Sequence, residues 1–479
     1  MRLDELVAGL PGARIAGDGA VEVRDLAFDS RKAGTGTLFF CVPGEKVDGH
    51  QFAEQVVEAG AVGLVVEREL GVGVTQVVVE DARAAMAPLA ARFCGDPTAE
   101  LQVVGVTGTN GKTTTAFLVR EILEAAGTRC GLLGTVKQVV GAAEEPVERT
   151  TPEAIDLQAT FRRMLDGGDR ACAMEVSSHA MVLHRADAIH FDVALFTNLT
   201  QDHLDFHGTM EEYFLAKRKL FEANPGTAVV NVDDPYGRRL AEEFECVTFS
   251  TAGREADYSA QGVSFDARGA EFTVGGMVVR TRLPGEFNVA NALGALAAAL
   301  ALGVEPEAAV AGLAEAARVP GRFEPVDEGQ GFAVLVDYAH TPDSLENVLG
   351  AARRVTEGRL IAVFGAGGDR DREKRPMMGR AGAELADLAV VTSDNPRSED
   401  PAEIVAEVAA GAPAGTEVET EIDRRAGIAR ALRLAGPGDT VVIAGKGHEG
   451  YQEFESGRRI DFDDREVARE ELRKLGSAA

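Results

Sequence analysis

The stretch Leu101–Gly127 reads LQVVGVTGTNGKTTTAFLVREILEAAG, and its pattern decides the architecture around it. Leu101, Val103, Val104 and Val106 suit a buried strand, while Phe117, Leu118, Ile122 and Leu123 recur at helical spacing. Between them Gly108, Thr109, Asn110, Gly111, Lys112, Thr113 and Thr114 fall where a strand turns into a helix N-terminus. Unpaired backbone N–H groups and the positive end of the helix dipole converge at such a place, so it attracts anions. Glycines let the chain fold closely around phosphate oxygens, the lysine adds a mobile positive charge, and a threonine hydroxyl can ligate Mg²⁺. The strict G-x-x-x-x-G-K-[ST] pattern misses at its first place, which Val106 occupies. The segment predicts a triphosphate cradle.

A chain of 479 residues is too long for one ordinary core and predicts about three domains, at roughly 150 residues each. Apolar content of 45% and charged content of 26% describe a globular protein. No apolar run is long enough to span a bilayer, and the start MRLDELVAGLPG lacks the pattern of a signal peptide, so a cytoplasmic protein without membrane insertion is expected. The net charge of -28 argues against nucleic-acid binding, which needs a basic face. A nucleotide substrate remains open, because phosphates need only a local positive patch. Cys41, Cys94, Cys130, Cys172 and Cys246 are scattered and never form a C-x-x-C pair, which suggests buried free thiols. A monomer is expected.

Residues 1–98 read as a small α/β unit, with strands at 21–28, 38–42, 62–66 and 77–79 and helices at 52–59 and 82–93. Asp29, Ser30 and Arg31 group at a strand end, where a plain capped turn is the competing reading. Residues 99–317 continue from the opening stretch. Thr150, Thr151 and Pro152 look like a helix start, and an apolar strand ends at Glu175. Asp202, His203, Asp205 and His207 crowd a loop before a helix that carries Lys217. Alternating strands and helices predict a doubly wound, mainly parallel sheet with ligands at the strand C-terminal ends. Residues 257–282 change to short alternating runs with Gly turns, which predicts added antiparallel strands.

Residues 318–479 again alternate, as expected of a Rossmann-like α/β domain. Strands at 360–364, 388–392 and 440–444 run into GAGGDRDREKRP, SDNPRSEDP and GKGHEGYQ. Arg370 stands where a dinucleotide fingerprint needs its third glycine, so a Rossmann cofactor site is discounted. The recurrence of polar loops after strand ends predicts that they face one cleft. Arg370 and Arg397 could grip a carboxylate, and Asp394 and Glu449 an ammonium, as a zwitterionic amino acid requires. Thr113 and Glu175 are natural Mg²⁺ ligands, because that ion prefers hard oxygens. A nucleotide site and an amino-acid site in one chain point towards ATP-driven amide formation.

At this point the sequence resembles the Mur ligases of peptidoglycan synthesis, and among them the MurE type. FDSR, GTNGKTT, EVSSHA, NLTQDHLDFHG, FNVANA, DYAHTPDSL, GDRD, KRP, DNPR and GKGHE carry the resemblance, in order, over nearly the whole chain. It implies three domains: UDP-sugar-binding (1–98), central ATP-binding (99–317) and C-terminal amino-acid-binding (318–479). It implies that Lys112, Glu175, His203 and Lys217 are catalytic. Gly108, Thr109, Asn110, Gly111, Lys112, Thr113 and Thr114 would hold the ATP phosphates, with Asn288, Asn291, Arg322 and Asp337 gripping adenosine and aligning domains. Mg²⁺ would sit among Thr113, Glu175, His203 and Lys217, the last as a CO₂-derived carbamate.

Ser30, Thr150, Thr151, Ser177 and Arg185 match contacts to UDP-N-acetylmuramoyl-L-alanyl-D-glutamate, whereas Leu183 departs from a position often glutamine in relatives. Arg370, Asp394, Asn395, Pro396, Arg397, Gly445 and Glu449 match the site for the added amino acid. Arg397 in DNPR favours meso-2,6-diaminopimelate, whose distal carboxylate lysine lacks. The rivals are a lysine-adding ligase, a folylpolyglutamate-type ligase and a nucleotide-gated regulatory protein.

Overall fold

A computed structural model describes residues 1–44, 47–147, 149–266 and 268–478. The fold is mixed α/β, with several mainly parallel sheets. It groups into two compact units. One comprises Met1–Thr107, Thr128–Ala194 and Ala216–Gly226, and the other Gly108–Gly127, Leu195–Leu215 and the chain from Thr227 onward.

The first unit opens with a five-stranded sheet in the order Arg14–Ala16, Thr75–Val78, Gly63–Val66, Thr37–Phe40, Asp25–Ala27. All neighbours are parallel except the first pair. Alternate residues of its central strands enter opposite cores. Leu38, Phe40 and Val65 pack with Met86 and Leu89, whereas Phe39, Leu64 and Val66 pack with Val56. A strand covered on both faces must be apolar throughout, which is why these runs are legible. The strand expected over 21–28 forms at Asp25–Ala27, with Glu22 in a single antiparallel bridge to Arg2. Val21 O and Val23 N are instead bonded to Leu3 N and Met1 O, so the chain start takes the backbone groups that a neighbouring strand would have used.

The same unit holds Gln102–Thr107, Ala171–Glu175 and Cys130–Leu133 as parallel neighbours, extended by antiparallel Gln138–Val140 and Ala143–Glu145. The helix expected from Thr150–Pro152 begins later, at Ala154 behind Glu153. Proline keeps the residue before it extended, and the Thr151 hydroxyl donates to Glu175 O at 2.9 Å instead of capping a helix.

In the second unit, helices Glu286–Ala301 and Pro306–Glu315 pack on Lys112–Ala125. Thr227–Asn231, Cys246–Ser250 and Tyr258–Ser259 lie parallel. The antiparallel strands expected over 257–282 form as a sheet of their own, Gln261–Asp266, Gly269–Val274 and Met277–Thr281. The last sheet runs Glu324–Pro325, Ala333–Asp337, Thr440–Ala444, Leu360–Phe364, Leu388–Thr392, Val418–Glu421, parallel after its first pair. Leu360, Ala362 and Phe364 face one core, and Ile361 and Val363 the other. Because these four strands run parallel, the loops after residues 337, 364, 392 and 444 all leave one edge of the sheet.

All five cysteines are free, three of them buried, and burial pushes the Cys172 thiol well up. Among the described residues no helix is long and apolar enough to cross a membrane.

Candidate active site

Strand Gln102–Thr107 ends one residue before Gly108, and helix Lys112–Ala125 starts directly after Gly111. Gly108 has φ 145° and Gly111 φ 86°, and a Cβ on either would overlap Thr197 or Asn291, so neither place admits another residue without strain. Lys112 Nζ donates to the carbonyls of Gly108 at 2.9 Å and Thr109 at 2.8 Å, inside its own loop. Asn110 N donates to Asn198 Oδ1 at 2.9 Å, and its side chain to Asp343 Oδ2 at 2.7 Å. The Thr109 hydroxyl lies 3.1 Å from Tyr213 OH.

Arg322 Nη2 donates to Thr113 Oγ1 at 2.9 Å, and its guanidinium stacks 4.5 Å over the Tyr338 ring. Asp337 holds the backbone next to that arginine, accepting from Phe323 N and Ala339 N at 2.7 Å. Burial pushes the Asp337 carboxyl above its ordinary range, against the pull of Arg322. Asn291 accepts from Thr115 at 3.4 Å and donates to Asn288 Oδ1 at 3.1 Å; Asn288 in turn donates to Pro284 O at 2.8 Å. Thr114 is buried in the first helical turn. The positions expected to hold nucleotide are thus tied together, directly or through one neighbour.

His203 has a left-handed backbone at the start of Leu204–His207, and its ring meets Tyr213 edge-on. Beside it Asp202 is 6% exposed, with His203, Lys374 and His340 at 3.4, 3.7 and 3.8 Å. Burial pushes the Asp202 carboxyl up, but those three groups outweigh it and hold it far below the ordinary range. Burial likewise lowers the His340 imidazole, whose Nδ1 donates to Tyr338 O at 2.8 Å.

In the first unit Glu175 is 1% exposed at its strand end. It accepts from Thr135 N at 2.7 Å and Thr135 Oγ1 at 3.1 Å, and that hydroxyl lies 3.1 Å from Thr150 Oγ1. Ser177 N donates to Thr151 Oγ1 at 3.1 Å, and Arg185 Nη1 to Thr151 O at 3.3 Å, so Thr150, Thr151, Ser177 and Arg185 gather beside Glu175. Lys217 is 1% exposed on helix Met210–Glu222. Ser30 lies in a turn that Asp29 closes by accepting from Arg31 N and the Arg31 guanidinium. That hydrogen-bonded pair lowers the Asp29 carboxyl to about 2. The capped turn weighed from the sequence is therefore present. By donor type the Thr113 hydroxyl and the Glu175 carboxylate are each hard oxygens of the kind Mg²⁺ takes.

The loops along the third-segment sheet edge converge as the strand pattern predicts. Asn395 Nδ2 donates to Glu449 Oε2 at 2.9 Å, and Gly445 lies beside Asp394. Arg397 Nη1 donates to Gly368 O at 2.6 Å and Nε lies 3.5 Å from Glu453. The backbone of Pro396 packs at Gly368. Arg370 is exposed, donating to Asp369 O at 2.8 Å.

Some residues of these clusters escaped the sequence reading. Glu153, 5% exposed, gathers Arg149 at 2.7 Å, Arg185 at 2.8 Å and Arg83 at 3.2 Å. Arg424 and Asp464 form a fully buried pair at 2.7 Å, and Arg424 also donates to Ser393 O and Ala444 O. Lys446 and Lys374 are buried cations. Lys446 lies inside GKGHE, so its motif was visible although its burial was not; Glu153 carries no local signal.

A glycine-bounded loop at a strand–helix junction, with a polar cluster along the edge of another parallel sheet, is the organisation of a nucleotide-dependent α/β ligase. Comparison with known proteins narrows the class. Residues 22–94 match the Mur ligase family, catalytic domain; 106–299 the Mur ligase middle domain; and 321–447 the Mur ligase, glutamate ligase domain. The chain belongs to the Mur ligase family. It is 47% identical to the UDP-N-acetylmuramoyl-L-alanyl-D-glutamate--2,6-diaminopimelate ligase of Geobacillus thermodenitrificans, over 98% of this chain and 99% of that one. It is 48% identical to the protein of the same name from Streptomyces coelicolor, over 96% and 94%. A solved structure of such a ligase, 33% identical, superposes with a TM-score of 0.71 over 99% of both chains.

Proposed function

We propose that this chain is an ATP-dependent amide ligase that joins meso-2,6-diaminopimelate to the D-glutamate of UDP-N-acetylmuramoyl-L-alanyl-D-glutamate, in the cytoplasmic synthesis of peptidoglycan precursors. The observation that carries the choice of amino acid is the gathering of Asp394, Asn395, Arg397 and Glu449, acids with a cation, in a chain 47% identical to a ligase named for diaminopimelate. The D-glutamyl γ-carboxylate oxygen attacks the γ-phosphorus of ATP, ADP leaves, and an acyl phosphate forms. The diaminopimelate amine then attacks the acyl carbon, the amine proton passes to solvent, and phosphate departs.

Lys112 and the loop amides stabilise charge on the transferring phosphoryl group, while the two polar sites orient acceptor and amine. Thr113, Glu175, His203 and the carbamate of Lys217 would hold Mg²⁺, which supplies further neutralisation of phosphate charge. Thr150, Thr151, Ser177, Arg185 and Ser30 take the UDP-sugar dipeptide. The partition into domains 1–98, 99–317 and 318–479 belongs to this reading.

The test is a ligation and phosphate-release assay with the UDP-sugar dipeptide and an amino-acid panel. Phosphate release should require both the dipeptide and diaminopimelate. Release indifferent to both overturns the proposal, and equal turnover with L-lysine overturns its assignment of the amino acid.

A further inference from the structure

The loop GKGHE contributes one residue that the proposed function leaves without a role. Lys446 Nζ lies at the heart of the amino-acid site, yet its side chain is 0% exposed. It donates to Asn395 Oδ1 at 2.9 Å and to Glu449 Oε2 at 3.1 Å. The Tyr451 ring covers it, with Nζ 5.6 Å from the centroid. Glu449 by contrast keeps 20% of its side chain open to solvent. A ligand entering from solvent therefore meets Glu449, and Lys446 stands behind it.

Two consequences follow from the donor and acceptor inventory. An ammonium donates only, so it fixes the amide of Asn395 in one orientation, with the oxygen facing Lys446. Glu453 N donates to the same Asn395 Oδ1 at 3.0 Å, and Asn395 Nδ2 is thereby directed at Glu449 Oε2 at 2.9 Å. A flipped amide would set its N–H groups against both donors. The second consequence concerns charge. Asp394 and Glu449 place two carboxylates in one small site, and Lys446 pulls the buried Asp394 carboxyl down against the effect of burial. Arg397 is matched by Glu453 at 3.5 Å, so with one of the two remaining negative charges offset by Lys446, one is left to meet a single ligand ammonium. The buried Arg424–Asp464 pair alongside is neutral by itself.

We infer that Lys446 is a positioning residue for the amino-acid substrate, fixing the Asn395 amide and the Glu449 carboxylate in the arrangement that receives the ligand's ammonium group. The inference rests on the proposed function, since it takes Asn395 and Glu449 as ligand contacts.

The experiment uses the full chain and first establishes that the wild type ligates diaminopimelate; without that activity the proposed function itself falls. Lys446→Met should then raise KM for diaminopimelate by at least about tenfold while KM for ATP and for the UDP-sugar dipeptide stays within about twofold. In a Glu449→Gln background the same substitution should cost less than about threefold, because the group it orients is already altered. If Lys446→Met fails to bind ATP, Lys446→Gln, which keeps a donor for Asn395 but loses the charge, carries the same comparison. An unchanged KM for diaminopimelate, an equal penalty on all three substrates, or additive penalties with Glu449→Gln overturns the inference and leaves the proposed function standing.

Discussion

Arg397 adopts a left-handed backbone, φ 52°, which an arginine takes only when its surroundings impose it. Here the backbone N–H donates to Glu453 O at 3.0 Å and the guanidinium to Gly368 O, so both ends of the residue are fixed. A cation held this way suits recognition of a carboxylate at a set position. Arg397→Ala should lower kcat/KM for diaminopimelate at least about thirty-fold relative to that for L-lysine. Competition between the two amino acids in one assay measures this, and an equal loss with both would assign Arg397 to structure alone. At this scale the sequence was informative where polar residues followed apolar runs, as with Asp394, Arg397 and Glu449. It was silent on the burial of Lys446 and Glu153, because a single charged letter looks the same whether solvated or enclosed by partners distant in sequence.

At the scale of elements, the strand–loop–helix of the opening stretch was legible almost to the residue. Its strand lies between apolar faces, and its loop is marked by glycines that steric contact requires. The helix begins at Ala154, later than the Thr150–Pro152 signal predicts, since a threonine hydroxyl can serve a distant carbonyl as well as a cap. No local pattern could reveal that choice. Gly111 tests the steric part of the argument. With φ 86° and Asn291 in the space a Cβ would fill, Gly111→Ala should destabilise the protein by about 1–3 kcal/mol and weaken ATP binding at least about tenfold. Chemical denaturation and nucleotide titration read the two effects. Wild-type stability with wild-type ATP affinity would mean that the loop relaxes and that the glycine is dispensable.

For the whole molecule, acid stability is governed by two opposed terms. The net charge of -28 repels itself, and protonation on descending towards the isoelectric point near 4.8 relieves that repulsion. Against it stand carboxylates whose pKa the fold depresses. Glu399 falls to about 2, chiefly because the buried Arg375 guanidinium hydrogen-bonds it at 2.7 Å; Asp29 and Asp48 also fall to about 2. A carboxyl depressed in the folded state contributes stability that is present above its unfolded pKa, about 4 to 4.5. That contribution is lost as the pH falls from there to about 2, since the unfolded chain then binds more protons. Stability should therefore hold or rise slightly from pH 7 to about 5, then drop steeply between about pH 4.5 and 2. Glu399→Gln should make the drop shallower while lowering stability at pH 7, because it removes a partner of the buried Arg375. Denaturant midpoints measured across pH 2–7 for both proteins decide the matter. A wild-type midpoint still rising at pH 3 would mean that relief of charge repulsion outweighs the paired carboxylates, and superimposable profiles would remove Glu399 from among them.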